Sequence, residues 1–118
     1  MNIIFAVQNN DGWDSIISLK YGRAKGFFCY SQETDELTYY SNEENQNAGH
    51  GAGINAAQIA INQKASVVIT GGSMGPKAFE VLNKANIKMF TQAGEVSVLV
   101  AYSNFKDNKY NQVLASDK

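Results

Sequence analysis

The sequence predicts a single α/β domain with a mixed sheet, and three observations support this prediction. Segments of strand character and segments of helical spacing alternate in the order β-β-β-α-β-α-β, which is typical of one layered α/β structure. The chain has 118 residues, a usual size for one domain. With 44% hydrophobic and 18% charged residues, it has the composition of a chain with a packed core. We expect one domain over residues 1–106 and a polar tail over 107–118.

Three strands are predicted before the first long helix. The opening segment 2–8 (NIIFAVQ) is a short apolar run, which is typical of a strand buried on both faces. Segments 25–31 (KGFFCYS) and 36–41 (ELTYYS) are rich in aromatic and β-type residues, and the polar residues 32–35 form a turn between them. These two segments therefore form a hairpin. Residues 42–51 are polar and contain glycine, so we expect a loop there.

Two helix–strand units follow the hairpin. Ile54, Ala57 and Ile61 recur at helical spacing, which predicts a helix whose apolar stripe carries these residues. Pro76, the only proline, favours the first position of a second helix, and Asn86 is a residue type that often ends helices. The predicted elements span residues 53–64, 65–70, 76–85 and 87–90.

The segment 95–105 fits two structures. Apolar residues alternate from Val96 to Tyr102 as in a strand, but those from Val98 to Phe105 also fit a helical stripe. Periodicity alone leaves both alternatives open. After Phe105 the chain is polar, and we expect a loose tail.

Composition argues against several classes of function. The formal net charge of −1 argues against nucleic-acid and membrane-surface binding, which need a basic field. The single cysteine, Cys29, cannot form an internal disulfide or the thiolate set of an ordinary iron–sulfur cluster, and we expect it in the core. The sequence begins without a signal-peptide pattern and contains no apolar run of membrane-spanning length, so we expect a cytoplasmic protein.

The first of three candidate binding loops is Lys20-Tyr21-Gly22-Arg23-Ala24-Lys25. Three cations flank a glycine, which lets the backbone approach a ligand closely. The arginine offers a rigid fork of donors for oxyanions. The alternative interpretation, a solvated basic loop, is the more common one for such a stretch.

The other two candidate loops each precede a predicted helix. The segment 48–53 (AGHGAG) surrounds His50 with glycines, so backbone N–H groups and an imidazole become available to an anion or a metal. The segment 71–77 (GGSMGPK) joins a strand to a helix, where ligands of open α/β sheets bind, although the P-loop spacing is absent. The alternatives are a flexible helix entry and a tight structural turn.

Taken in order, three segments of this chain resemble motifs of the dinitrogenase iron–molybdenum cofactor biosynthesis family (NifX/NafY type). They are Ser18–Ala24, Gly49–Gly53 and Ser73–Phe79, and the resemblance extends from Asn2 to about Phe105. It implies a ribonuclease H-like three-layer fold, a mixed β-sheet with helices on both faces, in which the three loops converge. It also favours a helix for 95–105.

The resemblance implies a non-enzymatic carrier of an anionic metal–sulfur cofactor, either iron–molybdenum cofactor or a related Mo/Fe–S cluster. Cofactor-biosynthesis proteins are the implied partners, and the protein is expected to be a monomer or a homodimer. This chain has Lys20-Tyr21 where the family often has His-Phe, which favours ionic holding and leaves His50 as the best metal ligand. The expected cofactor-binding residues are Lys20, Tyr21, Gly22, Arg23, His50, Gly51, Gly53, Ser73, Met74, Gly75 and Lys77.

Two other classes of function stay open at this stage. The same loops suit an enzyme that acts on a small phosphate or carboxylate through Ser73, His50 or Lys77, although the sequence shows no paired acid and base. The loops also suit a domain that contacts another protein.

Overall fold

A computed structural model describes residues 1–47 and 50–114 and contains a five-stranded mixed sheet with helices on both faces. The strands are β1 (Asn2–Val7), β2 (Gly26–Ser31), β3 (Glu36–Ser41), β4 (Ala65–Ile69) and β5 (Lys88–Phe90). Their order in the sheet is β3-β2-β1-β4-β5. Strand β2 is antiparallel to β1 and β3, whereas β1, β4 and β5 run parallel. The predicted α/β class and mixed sheet are confirmed.

The helices are α1 (Glu43–Gln46), α2 (Ala52–Asn62), α3 (Pro76–Lys84) and α4 (Val98–Lys106). A 3₁₀ turn at Gly12–Asp14 follows β1. Strand β1 is central, and its side chains alternate between two cores. Helices α2 and α3 cover one of them and α4 covers the other.

The buried side of α2 differs from the predicted apolar stripe. Ile54 is 44% exposed, whereas Ala56, Ala57 and Ala60 are fully buried. Alanine side chains let this helix lie close to the sheet and to α3, so small size rather than hydrophobicity selects the buried side. The prediction that Ile54 belongs to the core-facing stripe is therefore wrong.

The predicted loop at 42–51 contains a short helix. Asn42 is 3% exposed, and its backbone carbonyl accepts the N–H groups of Asn45 and Gln46, both at 3.0 Å. These bonds close the single turn of α1. The loop prediction is wrong for residues 43–46, and Ala48 and Gly49 lie outside the described residues.

The segment that fitted both a strand and a helix forms α4. Ser97 is its N-cap, since the Ser97 hydroxyl accepts the Val100 N–H at 3.1 Å. Beyond α4 the chain returns to the sheet, where the Val113 N–H donates to the Met89 carbonyl at 2.8 Å. This bond anchors the segment that we expected to be loose; residues 115–118 lie outside the described part. None of the described helices has the length and apolar character needed to cross a membrane.

We predict that Ser97→Ala lowers the free energy of unfolding by about 1 kcal/mol, because the Val100 N–H loses its cap. Urea unfolding followed by circular dichroism measures the change. Ser103→Ala on the exposed side of the same helix is the control, and it should leave stability unchanged within about 0.5 kcal/mol. Equal losses in both variants would contradict the assigned cap.

Candidate functional site

All eleven candidate residues line one open cavity of about 450 Å³. The cavity lies beyond the carboxyl end of β4, where the 20–23 loop meets the N-termini of α2 and α3. Ligands of open α/β sheets bind at this edge. Gly49, which belongs to the second motif, lies outside the described residues, so its position relative to the cavity is not described.

Two helix N-termini open onto the cavity, and neither has a side-chain cap. Gly51 precedes α2 with φ of 82°, and Gly75 precedes α3 with φ of 85°, a region that L-residues with side chains rarely adopt. The first N–H groups of a helix have no partner within the helix. They therefore give the cavity backbone donors from both helices, each set reinforced by a helix dipole. In α3 these donors begin at Lys77, because Pro76 has no N–H.

Three cationic side chains belong to the same cavity. Lys20, Arg23 and Lys77 are all exposed, and none of the described lining residues carries a carboxylate. The Arg23 guanidinium donates from Nη1 to the Gln46 carbonyl at 2.8 Å, which ties the 20–23 loop to α1. Its remaining donors are available to an anion. The cavity is therefore electropositive, and its exposed charges are subject to screening by salt.

Tyr21 shapes the wall of the cavity but does not offer its hydroxyl to a ligand. The residue is 1% exposed, and its hydroxyl donates to the Ala56 carbonyl at 2.7 Å. Burial raises the pKa of Tyr21 well above its usual range, so the hydroxyl stays protonated. The ring packs on Phe27 with 5.0 Å between centroids. The contribution of Tyr21 is thus to anchor the loop to the core.

The three loops touch through their backbones. A Cβ added to Gly22 would lie 3.0 Å from the Gly53 Cα, and one added to Gly53 would lie 3.4 Å from the Ala78 nitrogen. The first distance is tighter than an ordinary contact, so a side chain at position 22 would require the Gly53 backbone to shift; the second is an ordinary van der Waals contact. The two contacts bring the 20–23 loop, α2 and α3 into direct contact, as the convergence of the three loops requires.

The double glycine of the third motif has a structural role. Gly71 and Gly72 do not line the cavity; a Cβ on Gly72 would collide with the Leu19 carbonyl oxygen. This close approach lets Lys20 and Ser73 pair in a parallel bridge. Of the predicted binding loop 71–77, only the residues from Ser73 onward therefore line the cavity.

His50 is exposed at the cavity. Within the described residues there is no group of three or more His, Cys, Asp or Glu side chains that could hold a metal ion. A metal in this cavity would thus find one imidazole, that of His50, among the predicted site residues. Cys29 is buried in the sheet at 7% exposure, as the sequence predicted, and lies apart from the cavity.

Two asparagines behind the cavity, Asn42 and Asn45, were not predicted from the sequence to have a role in the site. Asn42 and Asn45 donate side-chain hydrogen bonds to the Gly22 carbonyl, and Asn45 also donates to the Ala52 carbonyl. The only signal was the density of amides in 42–47 (NEENQN), which is also typical of a solvated loop.

The fold and the cavity define a small α/β domain with a basic, glycine-walled cavity. The sequence profile of the family described as dinitrogenase iron-molybdenum cofactor matches residues 1–108. The chain belongs to this family, and the resemblance drawn from the three motifs is confirmed. Among curated proteins, none matches the chain.

Two solved structures are similar to this chain. The chain is similar to the orange protein from Desulfovibrio gigas in its apo form, with 33% sequence identity and a TM-score of 0.92 over 99% of this chain and 96% of that one. It is also similar to a provisionally assigned NifB protein from Thermotoga, with 20% identity and a TM-score of 0.84 over 99% and 97% of the two chains. At 20% identity, the second likeness shows the fold alone.

We predict that Gly72→Ala lowers the free energy of unfolding by about 1–3 kcal/mol, because the new methyl group overlaps the Leu19 carbonyl and the backbone must move. Urea unfolding measures the loss. Ser73→Ala is the control, since Ser73 already carries a Cβ and is exposed. A Gly72→Ala protein as stable as the parent would show that the two loops are not held in this contact.

Proposed function

We propose that this protein is a cytoplasmic, non-catalytic carrier that holds an anionic metal–sulfur cofactor in the cavity. The cargo is iron–molybdenum cofactor or a related Mo/Fe–S cluster. The observation that carries the proposal is the joint presence of two uncapped helix N-termini and three cations, with no carboxylate among the described lining residues. Family membership and the likeness to the orange protein support it.

The composition of the cavity wall favours a polarizable anion. Met74, Pro76 and Ala78 contribute apolar surface between the donors. A sulfide-rich cluster combines net negative charge with a soft surface, so it can satisfy the cations and contact this apolar surface at the same time. A small oxyanion would satisfy the donors but leave the apolar wall without a partner.

The cations, the backbone N–H groups and the imidazole of the cavity would then have different roles. Lys20, Arg23 and Lys77 neutralise the cluster, and the first N–H groups of α2 and of α3, which in α3 begin at Lys77, donate to its sulfides. His50 is the candidate for the one direct bond to a metal. Binding through ionic contacts and hydrogen bonds is reversible. Reversible binding suits a carrier that receives cargo from cofactor-biosynthesis proteins and passes it on.

We also propose that the domain has a ribonuclease H-like fold. The order β3-β2-β1-β4-β5, with β2 antiparallel to its neighbours and helices on both faces, is the arrangement expected of a ribonuclease H-like domain over 1–106. Helices α2 and α3 lie on the cavity side of the sheet. They bring their N-termini to the edge at which the parallel strands β1 and β4 end.

Anaerobic titration with iron–molybdenum cofactor and, separately, with tetrathiomolybdate tests the proposal. We predict stoichiometric retention of molybdenum after desalting, and weaker binding at higher salt. Lys77→Gln should weaken binding about tenfold, because charge-assisted hydrogen bonds contribute about 1.5–3 kcal/mol in proteins. His50→Ala should abolish retention if the imidazole bonds to the metal.

Lys84→Gln is the matched control for the charge. It removes the same charge from the opposite end of α3, where Lys84 forms an exposed pair with Glu80 at 3.6 Å. This variant should bind like the parent. No retention of either ligand by the parent, or equal weakening by Lys84→Gln and Lys77→Gln, would refute the assigned site.

A further inference from the structure

The side chain of Asn45 joins two walls of the cavity from behind. We propose that Asn45 is a positioning residue: its carboxamide fixes the 20–23 loop against the first turn of α2, and so sets the spacing of the donors that face the cargo. The inference rests on the proposed function for its effect on cargo, but its effect on the protein can be measured without any ligand.

The Asn45 amide group reaches three acceptors. Nδ2 donates to the Ala52 carbonyl at 2.8 Å, to Asn42 Oδ1 at 3.2 Å and to the Gly22 carbonyl at 3.3 Å. Two hydrogens serve three acceptors, so two of the three contacts share one hydrogen. The Asn45 Oδ1 atom accepts from Asn55 Nδ2 at 3.1 Å. The Asn45 side chain thereby connects the 20–23 loop to two successive turns of α2.

Gly22 is held from opposite sides. Its carbonyl accepts from Asn42 Nδ2 at 3.1 Å as well as from Asn45, while its Cα lies against Gly53. Asn42 is 3% exposed and also donates to the Ala24 carbonyl at 2.9 Å. The position of Arg23, the next residue, is therefore determined by a group of amides that do not line the cavity.

Only a carboxamide can make this set of bonds. It donates through nitrogen to the two backbone carbonyls and accepts through oxygen from Asn55. A carboxylate of the same shape could accept but not donate, and it would face the Gly22 and Ala52 carbonyl oxygens as one more electronegative group. Replacing Asn45 by aspartate should thus separate the two walls, and replacing it by alanine should leave them unconnected.

Asn42 and Asn45 have different roles because they differ in burial. Asn42 is buried and holds the loop internally, so its removal would affect folding itself. Asn45 is half-buried, and its side chain hydrogen-bonds to Ala52 and Asn55 of α2. Asn45 is therefore the position at which the spacing of the cavity can be changed in a folded protein.

Two amides report on the spacing without ligand. The Asn55 N–H donates to the Gly51 carbonyl at 3.0 Å, and the Ala24 N–H donates to the Tyr21 carbonyl at 3.3 Å. In Asn45→Ala and Asn45→Asp we expect hydrogen exchange at both amides to become about tenfold faster, as measured by NMR. Asn83→Ala, which removes an exposed amide near the far end of α3, is the control and should exchange like the parent.

The second readout is binding of tetrathiomolybdate at a temperature well below the melting point of every variant. We expect the dissociation constant to rise about 10- to 100-fold in Asn45→Ala and further in Asn45→Asp, with Asn83→Ala unchanged. A purely structural role would lower the melting temperature and leave this constant unchanged.

The outcomes separate the two claims. Faster exchange at Ala24 and Asn55 with no binding by the parent would retain the positioning role and reject the carrier function. Parental exchange rates in both Asn45 variants would overturn the positioning role, whatever the parent binds. Faster exchange with an unchanged dissociation constant would overturn the effect of Asn45 on cargo.

Discussion

The cavity depends on the backbone contact between Gly22, Gly53 and Ala78. Because Gly22 has no side chain, the basic loop can lie directly on the first turn of α2, and Gly53 in turn faces the start of α3. A Cβ at position 22 would press on the Gly53 backbone, whereas a methyl group at position 53 would meet Ala78 at ordinary van der Waals distance. The N–H groups of both helices and the cations of the loop then converge on one volume, which none of the three segments could form alone.

This arrangement has a cost in stability that explains other features of the site. Lys20, Arg23 and Lys77 repel one another in the absence of an anion, and the helix N-termini after Gly51 and Gly75 lack side-chain caps. Hydrogen bonds behind the cavity wall compensate, including those of the buried Tyr21 hydroxyl to the Ala56 carbonyl and of the Asn42 side-chain amide to the Gly22 carbonyl. The site is thus prepared for an anion by groups that do not touch it.

The sequence predicted the strands well, and the residues that it singled out as a candidate site lie together at one cavity, because both depend on local patterns. The sequence did not predict features that depend on how closely two segments approach each other in the fold. The buried alanines of α2 escaped a search for large apolar residues, and the role of Gly72 required knowing that Leu19 lies against it. Helix α1 and Asn45 were missed because side-chain amides bond to carbonyls that are remote in sequence, and no periodicity reports such bonds.

A crystal structure of the protein loaded with tetrathiomolybdate, with anomalous scattering recorded at the molybdenum edge, would locate the cargo. We expect a molybdenum peak inside the cavity, with the sulfides facing the first N–H groups of α2 and α3 and at least one of the lysines Lys20 and Lys77. A peak elsewhere on the protein, or a loaded protein whose cavity contains no anomalous density, would show that the cavity does not hold the cargo.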